Sequence, residues 1–498
     1  MLSHRTGLPR HDVSYLGTRA EKPDDARSIT RSFRHLEIAA PLRTRYMYNN
    51  MMFTAAVHLV EVKTRQPFAD FMQQRIFGPL EMNSTVVQPS AAQARGMGDR
   101  LSRGYYWESK KRATRNADLQ ARLKTRGRPS SSTTDETPSQ EPEGKSKPQQ
   151  GGKFHGFPMM DCPEGVGAGS IISSANDFIR WVRALMEHGG SHRIKDDKLT
   201  SNPINESIYR GLTRLRTITS PNPSAKKLKP YTSPRFYAAG LEAHWYRGAL
   251  IIGHDGSIEG FSSRFFFLPE YHFGAVMFGN EDRADAVASV LQWELVDEVL
   301  GIPVEERGKE RKRKNRKVEK EVEESEGEGH ESSDAEDTSN SEDKGKGDTT
   351  TSGTQEINEE EGSDARPFPA RLPLEAYTGT FSNAGYHTLA VQIDDNGLLF
   401  VEATDRSFGF TLTFEENAEG NHVLAAKDVR DGDGQGIVKH FTAHMKYWQN
   451  GIYESMPAAF LCRRSESWDD KTKAGFQAVR MGIKFEDELS GLIWFDRI

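Results

Sequence analysis

A chain of 498 residues and 55.9 kDa exceeds what one ordinary core supports, so two or three domains are expected. No run approaches the ~18–20 apolar residues of a bilayer-crossing helix, and a net charge of −6 gives no global attraction to nucleic acid or an anionic membrane. The two cysteines, Cys162 and Cys462, are too few for a disulfide scaffold or a four-cysteine zinc site and read as buried thiols.

In chain order, Met51 to Val62 is apolar nearly all round and predicts a helix buried in a large core. Pro67 to Ile76 predicts an amphipathic helix through Phe68, Phe71, Met72 and Ile76. Glu108 to Gly152 is basic and rich in Ser, Pro and Gln, too polar to fold by itself. A glycine-rich strand and turn, Gly165 to Ile172, leads through an N-cap cluster at Ser174-Ala175-Asn176-Asp177 into a helix over Phe178 to Glu187. Strands are predicted at Gly248–His254, Ser262–Leu268 and Phe273–Phe278, the first as an edge strand. A helix from Ala284 to Leu300 should then bury Val287, Val290, Leu291, Leu295, Val296 and Val299. Helices on either side of an antiparallel sheet make an α+β sandwich.

Residues 302–366 read as a disordered charged linker: Lys309–Lys320 holds eight Lys/Arg, and Glu321–Asp343 holds eleven Asp/Glu. Its basic run reads as solvated rather than as a nucleic-acid patch. Residues 367–498 alternate in short segments punctuated by Asp394-Asp395-Asn396-Gly397 and Asp431-Gly432-Asp433-Gly434, the pattern of a small β-barrel. Residues 1–301 are the first domain, carrying the insert at 108–152.

Familiar phosphate-loop, dinucleotide, zincin and GxSxG motifs are absent. Thr442 stands where a calcium loop opened by Asp431 would need its bidentate Glu. His440 and His444 lie on a predicted strand, which keeps them apart. No metal and no cofactor is expected.

Three segments belong together: Leu2-Ser3-His4-Arg5-Thr6-Gly7-Leu8-Pro9; Tyr46-Met47-Tyr48-Asn49-Asn50 with the following helix and Phe77-Gly78-Pro79-Leu80-Glu81-Met82; and Gly253-His254-Asp255-Gly256-Ser257. In that order they resemble the serine β-lactamase and penicillin-binding-protein superfamily, in the class C-like branch of esterases, D-aminopeptidases and acyltransferases, over Met1 to about Gly301. The far C-terminal region resembles the lipocalin-like β-domain of some members through Tyr377-Thr378-Gly379-Thr380-Phe381 and Gly385-Tyr386. The resemblance implies a β-lactamase/DD-peptidase-like antiparallel sheet flanked by helices, and acyl-enzyme chemistry on a small-molecule or peptide ester, amide or lactam.

It further implies that Tyr48 is a phenolic acid/base and that Asn50 orients substrate. His254 would supply the third-motif cation, Gly256 close approach to the strand, and the Ser257 N–H one oxyanion donor. A phenol near pKa 10 needs a nearby cation to serve as a base; the family's Ser-x-x-Lys lysine and His254 are the candidates. Asp255 replaces a hydroxyl residue and would repel a substrate carboxylate. Each assignment has a plainer counterpart: Tyr48 as packing aromatic, Asn50 as N-cap, His254 as core histidine, His4 and Gly7-Leu8-Pro9 as a structural loop, Asp177 as a cap.

The nucleophile motif is missing. Ser-x-x-Lys occurs only at Ser224–Lys227 and Ser341–Lys344, neither of which precedes Tyr48 on a helix. The expectation is a chain truncated at its N-terminus and inactive as it stands; the alternative is a non-catalytic binding protein that keeps the cleft. Met1 to Arg5 has no apolar signal region, so a genuine start at Met1 implies the cytoplasm. Oligomeric state is not legible in the sequence.

Overall fold

The computed structural model describes residues 1–126, 151–188, 202–220, 228, 230–307, 371–417, 436–464 and 475–498. Both Ser-x-x-Lys strings, the charged linker beyond residue 307 and the Asp431–Gly434 turn lie outside them.

The N-terminal loops lead into α1 (Ala26–Ser32), opened by a reciprocal Asp25/Ser28 capping box, and α2 (Met51–Thr64). Helix α2 buries Met51, Met52, Ala55 and Val57 but leaves Leu59 and Val62 more than half exposed. The expectation of burial all round therefore holds only for its first turns. The next helix is an α-helical turn, Phe68–Met72, that widens into a π-helical one, Gln73–Phe77, as Gly78 N–H donates to Gln73 O.

The 108–152 segment is ordered at both ends, contrary to expectation. β1 (Tyr105–Ser109) runs into α3 (Lys110–Arg126), and β2 (Gly152–Gly156) returns antiparallel to β1. Two forces outweigh the unfavourable composition. Lys, Arg, Ala, Gln and Leu are good helix formers, and the helix docks on the C-terminal barrel: Leu123 is buried, Arg112 Nη2 donates to Asn450 O at 2.9 Å, and Gln120 Nε2 donates to the Tyr453 hydroxyl at 2.8 Å.

Helix α4 (Ala175–Met186) is capped by Ser174, whose hydroxyl accepts from Asp177 N–H. Asp177, expected as the cap, instead accepts from Ser84 N–H at 2.7 Å and the Thr85 hydroxyl at 2.8 Å, tying down the segment before Val86–Val87.

The central sheet comprises β3 (Thr217–Ile218), β4 (Phe236–Tyr237), β5 (Glu242–Tyr246), β6 (Ala249–Ile258), β7 (Phe261–Leu268) and β8 (Phe273–Gly279), all antiparallel in sequential order. Strand alternation sends Ile252 and Phe267 toward α4, whereas Ala249, Ile251, Phe266 and Leu268 pack against α5 (Ala284–Val299). Helix α5 is rotated from the expected stripe: Ala288, Gln292, Val296 and Asp297 are buried, and Val287 is 62% exposed. Polar anchors set the rotation, since Gln292 Oε1 accepts from Arg264 Nη1 at 2.9 Å and Asp297 Oδ1 accepts from the Tyr246 hydroxyl at 2.8 Å.

The C-terminal strands are β9 (Gly379–Asn383), β10 (His387–Ile393), β11 (Leu399–Ala403), β12 (Phe410–Glu416), β13 (Ile437–Tyr447), β14 (Tyr453–Arg464), β15 (Phe476–Ile483) and β16 (Ile493–Arg497). They form a closed up-and-down barrel in which β9 pairs with β16, so no edge is left to aggregate. Its interior is packed with Tyr377, Phe381, Phe414, Phe441 and Phe460. Leu8, Val13, Tyr15, Ile29, Leu36, Met51 and Met52 belong to the same apolar cluster, so the N-terminal loops pack onto the barrel.

Candidate active site

The turn before α2 is built by His4, which is fully buried with φ 52°. Met47 N–H donates to His4 O at 2.8 Å and Asn49 N–H to His4 Nδ1 at 3.0 Å. Gly7 permits the loop to close: its φ is +81°, and a Cβ there would overlap Ala40 O. Tyr48 is thereby set against the His4 ring, with centroids 4.2 Å apart. His4 in turn meets Tyr237 of β4 edge-on at 4.6 Å, and the Tyr237 hydroxyl lies 3.0 Å from His254 Nε2. Tyr48 and His254, distant in sequence, are thus joined through His4 and Tyr237.

Protonation follows from the partners. His254 Nδ1 lies 2.5 Å from Asp255 O; a carbonyl only accepts, so Nδ1 carries the hydrogen and, in the neutral ring, Nε2 accepts from Tyr237. Burial, with His254 nearby, pushes His4 down to about 3, leaving it neutral. Burial raises Tyr48 above the ordinary phenol value, and the Arg10 guanidinium opposes that rise. Arg10 sits 5.2 Å from the centre of the Tyr48 ring and pairs with Asp12 at 2.9 Å. The cation beside Tyr48 is therefore Arg10, a residue the sequence reading missed although it directly follows Leu8-Pro9.

Asn50 is turned toward this same pair, its Nδ2 donating to Asp12 Oδ1 at 3.3 Å. It is not the side-chain cap of α2: Asn49 Oδ1 accepts from Met52 N–H at 3.1 Å, while Asn49 Nδ2 donates to Pro9 O.

Strand β6 pairs with β5 from Ala249 to Gly253 and with β7 from Ile252 to Ile258, and runs past the end of β5 from His254 onward. The expected edge therefore exists only over residues 254–258, the stretch holding His254, Gly256 and Ser257. A Cβ on Gly256 would come within 2.3 Å of Ser263 Oγ, so glycine there serves packing against β7. Asp255 is held by Arg264 at 2.7 Å, which neutralises the charge expected to repel a carboxylate.

Among the described residues no Ser-x-x-Lys pair approaches Tyr48. Cys162 offers no substitute, because burial and Glu164 push its thiol up to about 12. Tyr237, which links His4 to His254, had no signal in the sequence.

A sequence model of the Beta-lactamase family matches residues 1–297. A protein named unguisins hydrolase from Aspergillus violaceofuscus is 31% identical over 310 residues, covering 62% of this chain and 47% of that protein. A counterpart from Aspergillus campestris is 26% identical over 416 residues, 83% of this chain and 62% of its own length. The chain thus spans about half of the first relative and less than two thirds of the second. Among solved structures, the octameric penicillin-binding protein homologue of Pyrococcus abyssi superposes with TM-score 0.42 at 13% identity, over 99% of this chain and 77% of that one. The D-stereospecific amidohydrolase of a Streptomyces species gives 0.37 at 17% identity, over 56% and 66%. With the family model spanning more than half of its length, the chain belongs to the Beta-lactamase family.

Proposed function

We propose that residues 1–301 carry the cleft of a β-lactamase-related hydrolase or acyltransferase that acts through an acyl-enzyme on an ester, amide or lactam, and that the chain is inactive as it stands. The observation that supports this reading is the continuity of His4, Tyr48, Tyr237 and His254 beside the half of β6 that β5 leaves uncovered. In the proposal Tyr48 is the acid/base; burial holds it above the ordinary phenol value and Arg10 opposes that rise. His254, oriented by Tyr237, polarises the substrate, and Asn50 positions it. Gly256 lines the strand and the Ser257 N–H donates to the developing oxyanion. Its relatives' name points to unguisins as the substrates to try first. The lipocalin-like reading of the barrel is supported by its eight strands and up-and-down order.

Among the described residues no Ser-x-x-Lys pair stands beside Tyr48, and without such a nucleophile attack on the carbonyl lacks its electron pair. Incubation of the purified 498-residue chain with a cephalosporin, a chromogenic ester and an unguisin should give no turnover that depends on Tyr48; turnover abolished in Tyr48→Phe would overturn the inactivity.

The second reading, a non-catalytic binding protein, is favoured by one observation: the His4, Tyr46 and Tyr237 rings already contact one another beside Tyr48. Calorimetric binding of an unguisin without product would support it.

A further inference from the structure

On the outer wall of the barrel, three adjacent strands bring a serine, a histidine and a glutamate into one hydrogen-bonded line. The register places Ser455 of β14 directly across from His444 of β13, and Thr413 of β12 on the other side of His444. Glu415, two residues beyond Thr413, shares its face. His444 Nδ1 lies 2.8 Å from Ser455 Oγ, and His444 Nε2 lies 3.1 Å from Glu415 Oε2. The three side chains differ in exposure in the sense that nucleophilic chemistry needs: Ser455 is exposed, His444 is 4% exposed, and Glu415 is partly covered by α3, whose Arg122 approaches its carboxylate at 3.8 Å.

Roles follow from the donors. A carboxylate only accepts, so His444 Nε2 carries the hydrogen; Nδ1 of the neutral ring then accepts from the Ser455 hydroxyl. Burial, and after it Arg122, hold His444 below the ordinary histidine value, which keeps the ring neutral and able to take a proton. Ordinary cross-strand pairing explains the contact of His444 with Ser455. It does not explain why the only ring nitrogen left for the serine is an acceptor.

We propose that Ser455, His444 and Glu415 form an acylation site on the barrel, separate from the cleft, in which Ser455 accepts an acyl group from activated esters and thioesters. Ser455 Oγ attacks the carbonyl carbon and forms the new C–O bond while its proton passes to His444 Nδ1. Collapse of the tetrahedral adduct breaks the bond to the leaving alkoxide or thiolate, which takes that proton from Nδ1. The products are the Ser455 ester and a free alcohol or thiol, and His444 returns to its neutral state. Because Ser455 faces solvent, water meets the developing oxyanion, and this limits the donor to compounds with good leaving groups. Glu415 is a positioning residue: it fixes the tautomer and does not touch the acyl group.

The test uses the full 498-residue chain with p-nitrophenyl acetate, an acetyl thioester and an alkyl fluorophosphonate, followed by peptide mass mapping. Ser455 should carry the acetyl or phosphonyl group ahead of every other serine, and p-nitrophenolate should appear as a burst of about one equivalent. His444→Gln should slow adduct formation about 100-fold, the scale of general-base assistance, and Ser455→Ala should abolish that adduct. Nitrogen-15 NMR should find His444 protonated at Nε2 in the wild type and in Ser455→Ala, with that preference lost in Glu415→Ala. Labelling of Ser455 at the rate of other exposed serines, a folded His444→Gln that labels at the wild-type rate, or a hydrogen on Nδ1 would overturn the site. The wild-type mapping needs no variant to fold, and it is independent of any Tyr48-dependent turnover in the cleft.

Discussion

At the residue scale, titration should be governed by the joint between the N-terminal loops and the barrel. His11 Nδ1 lies 2.6 Å from the Tyr386 hydroxyl, and Glu486 Oε1 accepts from His11 N–H at 2.7 Å. Burial pushes His11 down to about 4, and burial with Glu488 and Asp12 pushes Glu486 up to about 8. The folded state therefore holds His11 neutral, which stabilises above pH 6.5 and is lost as pH falls from there toward 4. It also holds Glu486 protonated, which stabilises below 4.5 and is lost as pH rises from there toward 8. Between about 4.5 and 6.5 the two slopes cancel, and from about 6.5 to 8 only the Glu486 loss remains. Glu486→Gln keeps the acceptor and removes the charge, so it should raise the melting temperature more at pH 8.5 than at pH 6. Equal shifts at both pH values would show that Glu486 titrates normally. Tyr48 and His254 stand out in the sequence because flanking motifs mark them, and the structure links them through His4 and Tyr237. Arg10, Tyr237 and Glu486 were not, because nothing local to them records which ring or amide they meet.

At the scale of elements, the two asparagines before α2 divide their contacts: Asn49 caps the helix and Asn50 reaches Asp12. Asn49 is buried and its side chain satisfies a first-turn N–H as well as the loop carbonyl of Pro9, so Asn49→Ala should cost about 1–2 kcal/mol. Asn50→Ala loses one long hydrogen bond to Asp12 and should change stability by less than about 0.5 kcal/mol. Denaturant melts of the pair decide between them, and the reverse ranking would make Asn50 the cap. Strand positions were legible because period-two alternation is local, as at β7 and β8. The rotation of α5 was not: its apolar residues nearly encircle the helix, and the choice fell to Arg264 and Tyr246, which are on other elements. Helix α3 escaped for a related reason, since its order depends on the barrel surface it lies against.

At the scale of the molecule, the two halves share a core. Leu8 is buried in the cluster that includes Phe381 and Phe495 of the barrel, and Arg406, itself buried, donates to Tyr386 O and Thr388 O while Gly17 N–H reaches Asp405 O. Leu8→Ala should cost about 2–5 kcal/mol and lower the melting of both halves together. Unchanged barrel melting, followed through Trp494, would show that the halves unfold independently.

The sequence by itself determined the family, the antiparallel sheet and the succession of short β-strands, because these rest on local periodicity and short motifs. The tertiary structure alone decided that Arg10 stands by Tyr48, that Tyr237 orients His254, that Arg264 neutralises Asp255, and that His444 bridges Ser455 and Glu415. Each of those is a side-chain contact between different elements, and its energy depends on distance and burial in the folded chain, quantities that residue order does not contain.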